Sequence, residues 1–296
     1  MLAIARPGTQ SGFSSGDRFA LVRWIFAALT AVSALGLCGR VHAKELTAAQ
    51  IVEKNVAARG GLDAWRKVET MVWTGHMEGG GIPVPTLPFL LEQKRPNKTH
   101  FEIDQRGQRS LRVFDGTQGW KVRPDQSGRP VVQPFTMQEV RFAKEGQGID
   151  GPLIDYQAKG NTVSLGSVTE IDGRKTYRLN VNLPSGERHH VWVDARTFLD
   201  VQYDRTSYTP DGKPVMVTVS CRDYRTFEGL QLPTTIETGG GSGRQPERMV
   251  IERVTLNFPL DDEHAFGDPA TPHKRNAAHA GVGAAAAYPD SGSNSR

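Results

Sequence analysis

From Arg174 to Leu256 the chain repeats one pattern, and that pattern limits its fold more than any other feature: short runs of alternating apolar and polar residues, cut by turn signals. Tyr177, Leu179, Val181 and Leu183 alternate with Arg178, Asn180 and Asn182, so an extended segment here has one apolar and one polar face. Asp172-Gly173 precedes this run and Ser185-Gly186 follows it, both hairpin signals, and Asp211-Gly212 marks a further turn. His189, Val191 and Val193 share a face, after which Asp194-Ala195-Arg196 turns into a strand expected to begin at Phe198-Leu199. Val215, Val217, Val219 and Cys221 share another face, Gly229 to Pro233 ends one strand and starts the next, and 248–258 give the last. Hairpins without intervening crossover helices build an antiparallel sheet.

The first half reads as more strands with a few helices. Thr47 and Gln50 form a capping-box pattern ahead of Ile51, Val52 and Val56 at helical spacing, and Gly60-Gly61 stops that helix. A second turn of helix, Leu62 to Val68, carries Trp65. Thr70 to Met77 is the first strand, Gly79-Gly80-Gly81 with Pro83, Pro85 and Pro88 makes an irregular loop, and Phe89-Leu90-Leu91 resumes the sheet. Thr136 to Lys144 has helical composition, with Met137, Val140 and Arg141 on one side. Ten or so strands leave an apolar face that two helical segments, 47–68 and 136–144, are too few to cap tightly. The expected outcome is a mainly β, α+β fold: a strongly curved antiparallel sheet, an unclosed half-barrel, with a helical lid over an apolar, fillable space.

The two ends have a different character. Arg6, Arg18 and Arg23 precede an uncharged apolar run from Trp24 to Leu37, and Val41-His42-Ala43 offers a cleavage site, so 1–43 reads as a cleavable signal peptide. The run is shorter than the roughly 20 residues of a membrane span. Cys38 follows Leu37, where a lipid-attachment motif wants a small residue, so anchoring through it is not expected. Once 1–43 is removed Cys221 is the lone cysteine, and it reads as a small core residue. The signal also holds four of the basic residues and one of the acidic ones, leaving 32 against 31, which removes the case for nucleic acid. From Asp268 to Arg296 the chain is rich in Ala, Gly, Ser, Pro and Asn and reads as a disordered tail after a binding domain spanning 44–267. His264, His273 and His279 in or near that tail read as solvated.

Motifs of catalysis are missing. After residue 43 the chain has no Gly-x-Ser-x-Gly elbow (the match at Gly12 to Gly16 falls in the signal segment), no His-Glu-x-x-His helix and no glycine loop between strand and helix. His189 and His190 are neighbours in a strand and point to opposite faces, a poor arrangement for one metal. Asp261-Asp262-Glu263 lacks the ligand spacing of a calcium loop and reads as a solvated acidic turn. Ser164 and Ser220 read as strand hydroxyls. No cofactor and no metal are called for.

One stretch carries a resemblance. Lys94-Arg95-Pro96 closes an apolar run; Phe101 to Asp104 and Ser110 to Phe114 alternate as half-buried strands; Asp115-Gly116 turns the chain, and Trp120 and Pro124 follow. This order resembles the periplasmic lipoprotein-carrier family, the LolA/LolB-like fold. The Ala58 to Trp65 segment looks like the N-terminal helix of outer-membrane lipoprotein-sorting relatives, and Phe266 with Pro269 matches the closing end. The resemblance implies a non-enzymatic carrier that shelters acyl chains of lipids or lipoproteins in the periplasm, as a monomer with a docking partner at the inner or outer membrane. It also implies that Arg95 reaches across the mouth to carbonyls of the lid helices, a role suited to its fork of donors. Trp65, Pro96, Phe101, Asp115, Gly116, Trp120, Met137 and Val140 are the accompanying motif or cavity-lining residues, although Trp65 and Trp120 also read as plain core aromatics. A periplasmic sensor that binds an envelope protein is the alternative, and a lipid hydrolase in the same cavity a third reading. The body is longer than such carriers, with the insertion at 79–88 and extra strands in its second half.

Overall fold

The computed structural model describes residues 45–79, 86–105, 107–145, 148–208, 214–239 and 246–271. The signal segment with Cys38, most of the Gly/Pro loop, the Asp211-Gly212 turn, His273, His279 and the chain from 272 onward lie outside the described residues.

Thirteen strands form one antiparallel sheet: β1 (Thr70–Glu78), β2 (Leu87–Lys94), β3 (Lys98–Gln105), β4 (Gln108–Phe114), β5 (Gly119–Pro124), β6 (Pro130–Pro134), β7 (Thr162–Ile171), β8 (Arg174–Asn182), β9 (Arg188–Asp194), β10 (Asp200–Tyr208), β11 (Pro214–Phe227), β12 (Leu230–Gly239) and β13 (Glu247–Leu256). Among the described residues four helices accompany them: α1 (Ala48–Ala58), α2 (Leu62–Arg66), α3 (Met137–Glu145) and α4 (Asp262–Phe266). The spatial order is β6-β5-β4-β3-β2-β1-β13-β12-β11-β10-β9-β8-β7, and the curved sheet does not close into a barrel. First and last strands pair at its centre, Met71 opposite Leu256 and Trp73 opposite Val254. A bulge between Thr74 and Gly75 bends this seam, and Gly75 is required there: a Cβ would lie 2.0 Å from the Val250 carbonyl oxygen.

This order has a consequence for the one long connection. β6 and β7 follow one another in sequence but lie at opposite edges, so residues 135–161 must traverse the sheet. Twelve strand spacings of about 4.8 Å amount to roughly 58 Å of sheet, which curvature shortens into a chord. The traverse runs over the inner face. Its α3 begins with a capping box in which Thr136 N donates to Glu139 Oε2 and Glu139 N to Thr136 Oγ1. The stretch after it, 148–161, is a strap without regular helix, and it buries Ile149, Leu153 and Ile154.

Two apolar clusters fill the inner face. Ile149 and Ile154 of the strap pack with Trp65, Val68, Met71, Leu230, Leu232 and Leu256. Leu153 packs with Ile51 and Val52 of α1 and with Leu179, Val181, Val191 and Val193 of β8 and β9. The alternation read in the second half therefore does point one apolar set inward. α1 keeps its expected capping box, with Thr47 N donating to Gln50 Oε1 and Gln50 N to Thr47 Oγ1, and Gly60 and Gly61 adopt φ of +113° and +88° after it.

Two details differ from the sequence reading. β10 starts at Asp200, two residues late, because Asp194 Oδ1 takes the Arg196 and Thr197 N–H groups and Phe198 turns into the left-handed region at φ +59°. The acidic run at 261–263 starts a helix: Asp261 caps α4 by accepting from His264 N. Asp262 then pairs with Lys94 (2.6 Å) and Lys98 (2.7 Å). α4 covers the outer face, where Phe266 and Ala265 pack on Val72, Val113 and Trp120.

Candidate functional site

Arg95 sits in the corner between β2 and β3, next to a cis bond to Pro96. Its Nε donates to the Val68 carbonyl (2.6 Å) and its Nη2 to the Trp65 carbonyl (3.0 Å), both at the end of the helical segment. The same Nη2 donates to Asp150 Oδ2 (2.7 Å) on the strap. One planar guanidinium thus joins three pieces of chain far apart in sequence. Asp150 is 3% exposed at its side chain and takes Lys159 Nζ on its other oxygen. Further side-chain ties hold the strap to the helices: Arg66 makes a bidentate pair with Asp155 (2.8 and 2.9 Å), and Arg59 Nη1 donates to the Asp150 carbonyl (3.2 Å).

Beneath strap and α3 lies a cavity of about 350 Å³. Ile149, Pro152 and Phe142 form its roof; Trp73, Leu91, Val191, Val219, Ile236 and Met249 are among the strand residues of its floor. Its lining is mostly apolar, with a polar end where Arg59, Asp200 and Tyr224 meet. There Arg59 Nη1 lies 3.4 Å from Asp200 Oδ2, Asn55 Nδ2 donates to Asp200 Oδ1 (2.9 Å), and Tyr224 OH donates to the Asp200 carbonyl (3.0 Å). Burial pushes the Asp200 carboxyl up, against the opposing pull of Arg59 and Asn55. Burial also raises the Tyr203, Tyr224 and Cys221 hydroxyl and thiol groups, the last to about 12. Among the described residues neither the Trp73 indole N–H nor Arg59 Nε has a hydrogen-bond partner.

A second cavity, of about 410 Å³, adjoins the first; Gly148, Gly151 and Pro152 line both. Its character is cationic: Arg95, Lys144 and Lys159 line it together with Asp150.

The structure brings some of the expected residues to this region and not others. Pro96 lines the second cavity, and Phe101 lies on the inner face of β3, its ring 6.1 Å from that of Phe89. Trp65 is fully buried beneath Arg59, whose guanidinium stacks 4.7 Å from its ring. Asp115 and Gly116 build the β4–β5 turn, with Asp115 Oδ1 accepting from the Thr117 and Gln118 N–H groups. Trp120 pairs with Val113 and faces outward against α4, on the other side of the sheet from the cavity. Met137 is 92% exposed, and neither it nor Val140 lines either cavity; α3 presents Phe142 instead. His189 lines the first cavity, whereas His190 points outward and pairs with Asp204 (2.6 Å). Ser164 and Ser220 alternate with inward residues and so lie on the outer face.

Asp150, Lys159 and Arg59 are participants that the sequence did not single out. The one available signal was Gly148-Ile149-Asp150-Gly151-Pro152-Leu153-Ile154, an apolar stretch too broken by Gly and Pro to read as helix or strand. No group of three or more metal-ligating side chains occurs among the described residues, and no helix among them is long and apolar enough to cross a membrane.

These features define a half-barrel with a lid and an apolar interior. No family model matches the chain, and no curated protein does. Solved structures do: the LolA superfamily protein NE2245 from Nitrosomonas europaea is 16% identical, with a TM-score of 0.48 over 75% of this chain and 98% of that one. A DUF1329 family protein from Desulfovibrio piger is 14% identical, with a TM-score of 0.47 over 73% and 96%. A putative outer membrane lipoprotein-sorting protein domain from Vibrio parahaemolyticus is 11% identical, with a TM-score of 0.47 over 71% and 92%. At these identities the likeness concerns the fold and assigns no role to any single residue.

Proposed function

We propose that this protein is a periplasmic carrier or binding protein that shelters an acyl chain of a lipid or lipoprotein between the inner face of its sheet and the strap. The observation that carries this reading is the apolar cavity of about 350 Å³ under a roof held by side-chain ties. A buried methylene contributes about 0.8 kcal/mol, so such a space supplies affinity without reactive groups. The roof also has the means to move. Its described polar ties to the helices and to the β2–β3 corner run through Arg59, Arg66 and Arg95, and breaking them opens no strand ladder. Arg95 is the closing residue in this reading, because one side chain restrains helix and strap together. Release then requires a membrane partner offering the chain a more apolar or more open site. The reading of 1–43 as a signal peptide supports the compartment.

Native mass spectrometry of the exported protein, purified without detergent and followed by lipid extraction, tests this. The expected result is a bound acylated species. Protein that is empty and also fails to take up a fluorescent fatty acid overturns the reading.

A further inference from the structure

The two adjoining cavities differ in chemistry, and their contact along Gly148, Gly151 and Pro152 suggests one ligand with two parts. We infer that the second cavity is a headgroup site, and that the cargo is a single-chain amphiphile whose anionic head sits among Lys144, Lys159 and Arg95 while its acyl chain occupies the first cavity. This rests on the acyl-binding reading above and narrows it to a ligand class.

Charge is the first support. Three cations line the second cavity against one carboxylate, Asp150. Asp150 already serves two of them, Arg95 at 2.7 Å and Lys159 on its other oxygen. Lys144, at the end of α3, has no hydrogen-bond or ion-pair partner among the described residues and stands exposed at the rim. The cluster is therefore short of negative charge. Burial lowers the Lys159 ammonium, Asp150 opposes the shift, and Arg95 and Arg59 push it lower again. An arriving phosphate or carboxylate would supply acceptors that the protein leaves out.

Size and position are the second support. The first cavity lies near the small end of the roughly 300–1,000 Å³ range of ligand sites, which suits one chain rather than several. The strap residues between the cavities include the two glycines, whose missing side chains leave room where chain and head would join. The arrangement also couples binding to opening. An anionic head competes with Asp150 for Arg95 and Lys159, so the group that recognises the ligand is the one that fastens the strap.

The test compares three single-chain lipids of equal acyl length: a lysophosphatidic acid, a lysophosphatidylcholine and a monoacylglycerol. Each displaces the uncharged fluorescent probe N-phenylnaphthylamine from the full mature protein. The anionic lipid is expected to bind at least tenfold more tightly than the monoacylglycerol. That ratio should fall to within twofold in Lys144→Glu and in Lys159→Gln, and should return in Lys144→Arg. Inorganic phosphate at millimolar concentration should compete with the anionic lipid alone. Equal affinity for all three heads, or a preference that survives both charge variants, overturns the headgroup site while leaving acyl binding in place. A protein that takes up neither probe nor lipid overturns the carrier reading itself, and the headgroup site with it.

Discussion

Arg95 Nη2 donates to Asp150 Oδ2 at 2.7 Å, which ties the corner after β2 to a strap that lies 55 residues further along the chain. The carboxylate is nearly inaccessible, and the guanidinium that holds it also satisfies the Trp65 and Val68 carbonyls. Replacing Arg95 with Leu leaves the Val68 carbonyl unserved, the Trp65 carbonyl with backbone N–H donors only, and the Asp150 carboxylate with Lys159 alone. The expected cost is about 1–3 kcal/mol in unfolding free energy. The decisive measurement is local: amide exchange should accelerate in 62–68 and 148–154 beyond its change in the β8–β9 hairpin. Uniform acceleration across the chain would mean that Arg95 has no special hold on the strap.

Ile236 offers a direct probe of the space itself. It lines the floor on β12, opposite Cys221 on β11. Ile236→Trp should fill much of the cavity with an aromatic ring, at an overpacking cost of about 1–3 kcal/mol or less, since the space is there to receive it. Uptake of a fluorescent fatty acid should drop at least tenfold while cooperative thermal unfolding persists. Undiminished uptake by the folded variant would place the acyl chain elsewhere.

The sequence made the sheet legible because period-two alternation depends only on neighbours, and Tyr177 to Leu183 shows it in full. α1 was legible for the same reason, since Thr47 and Gln50 sit within one turn of each other. Arg95 donates to two carbonyls of the helical segment, contacts of which spacing alone contained no hint. What alternation leaves open is which face meets the cavity. Trp120 and Phe101 have the right period, but α4 covers the outer face near Trp120, so an apolar residue is wanted on both sides there. The strap was illegible for a different reason. Ile149, Leu153 and Ile154 owe their burial to β1, β8 and β12, strands remote in sequence, and Gly151-Pro152 removes any local period.

Glu139 anchors α3 to the inner face and gives the roof a dependence on acid. Partial burial raises its carboxyl, but the Thr136 N–H, the Lys121 ammonium and the Arg112 guanidinium outweigh that and hold it at about 2. A carboxyl depressed on folding contributes stability above its unfolded value, here near 4.5, and loses it as pH falls toward about 2. Exposure of the site to water limits the size of this effect. Between pH 4.5 and about 2 the helix signal of α3 should weaken in the native protein and much less so in Glu139→Gln, which has already given up the charge. Nuclear magnetic resonance shifts of residues 137–144 followed through that range would settle it. A titration that is the same in protein and variant would assign the anchor to other contacts.

Cys221 reports on the cavity from its floor. Burial pushes its thiol up to about 12, Asp200 adds to the shift, and Arg59 and Tyr224 only partly oppose it. At a pH of about 8 the folded thiolate fraction is then on the order of one in ten thousand, against roughly a quarter for a free cysteine. Iodoacetamide labelling, mapped by peptide mass spectrometry to Cys221, should be at least a hundredfold slower in the native protein than in urea. The same shift fixes a sign for alkaline stability. An acid raised on folding stays protonated while its unfolded counterpart ionises, so unfolding free energy should decline as pH rises from about 9 toward 12. Cys221→Ala should remove that part of the decline at the expense of a small added cavity. Labelling of the Arg95→Leu protein should be faster than that of the native one, because the strap whose Ile149 and Pro152 roof the cavity is released above the thiol. Equal rates in the two would show that reagent reaches Cys221 by a route the strap does not guard.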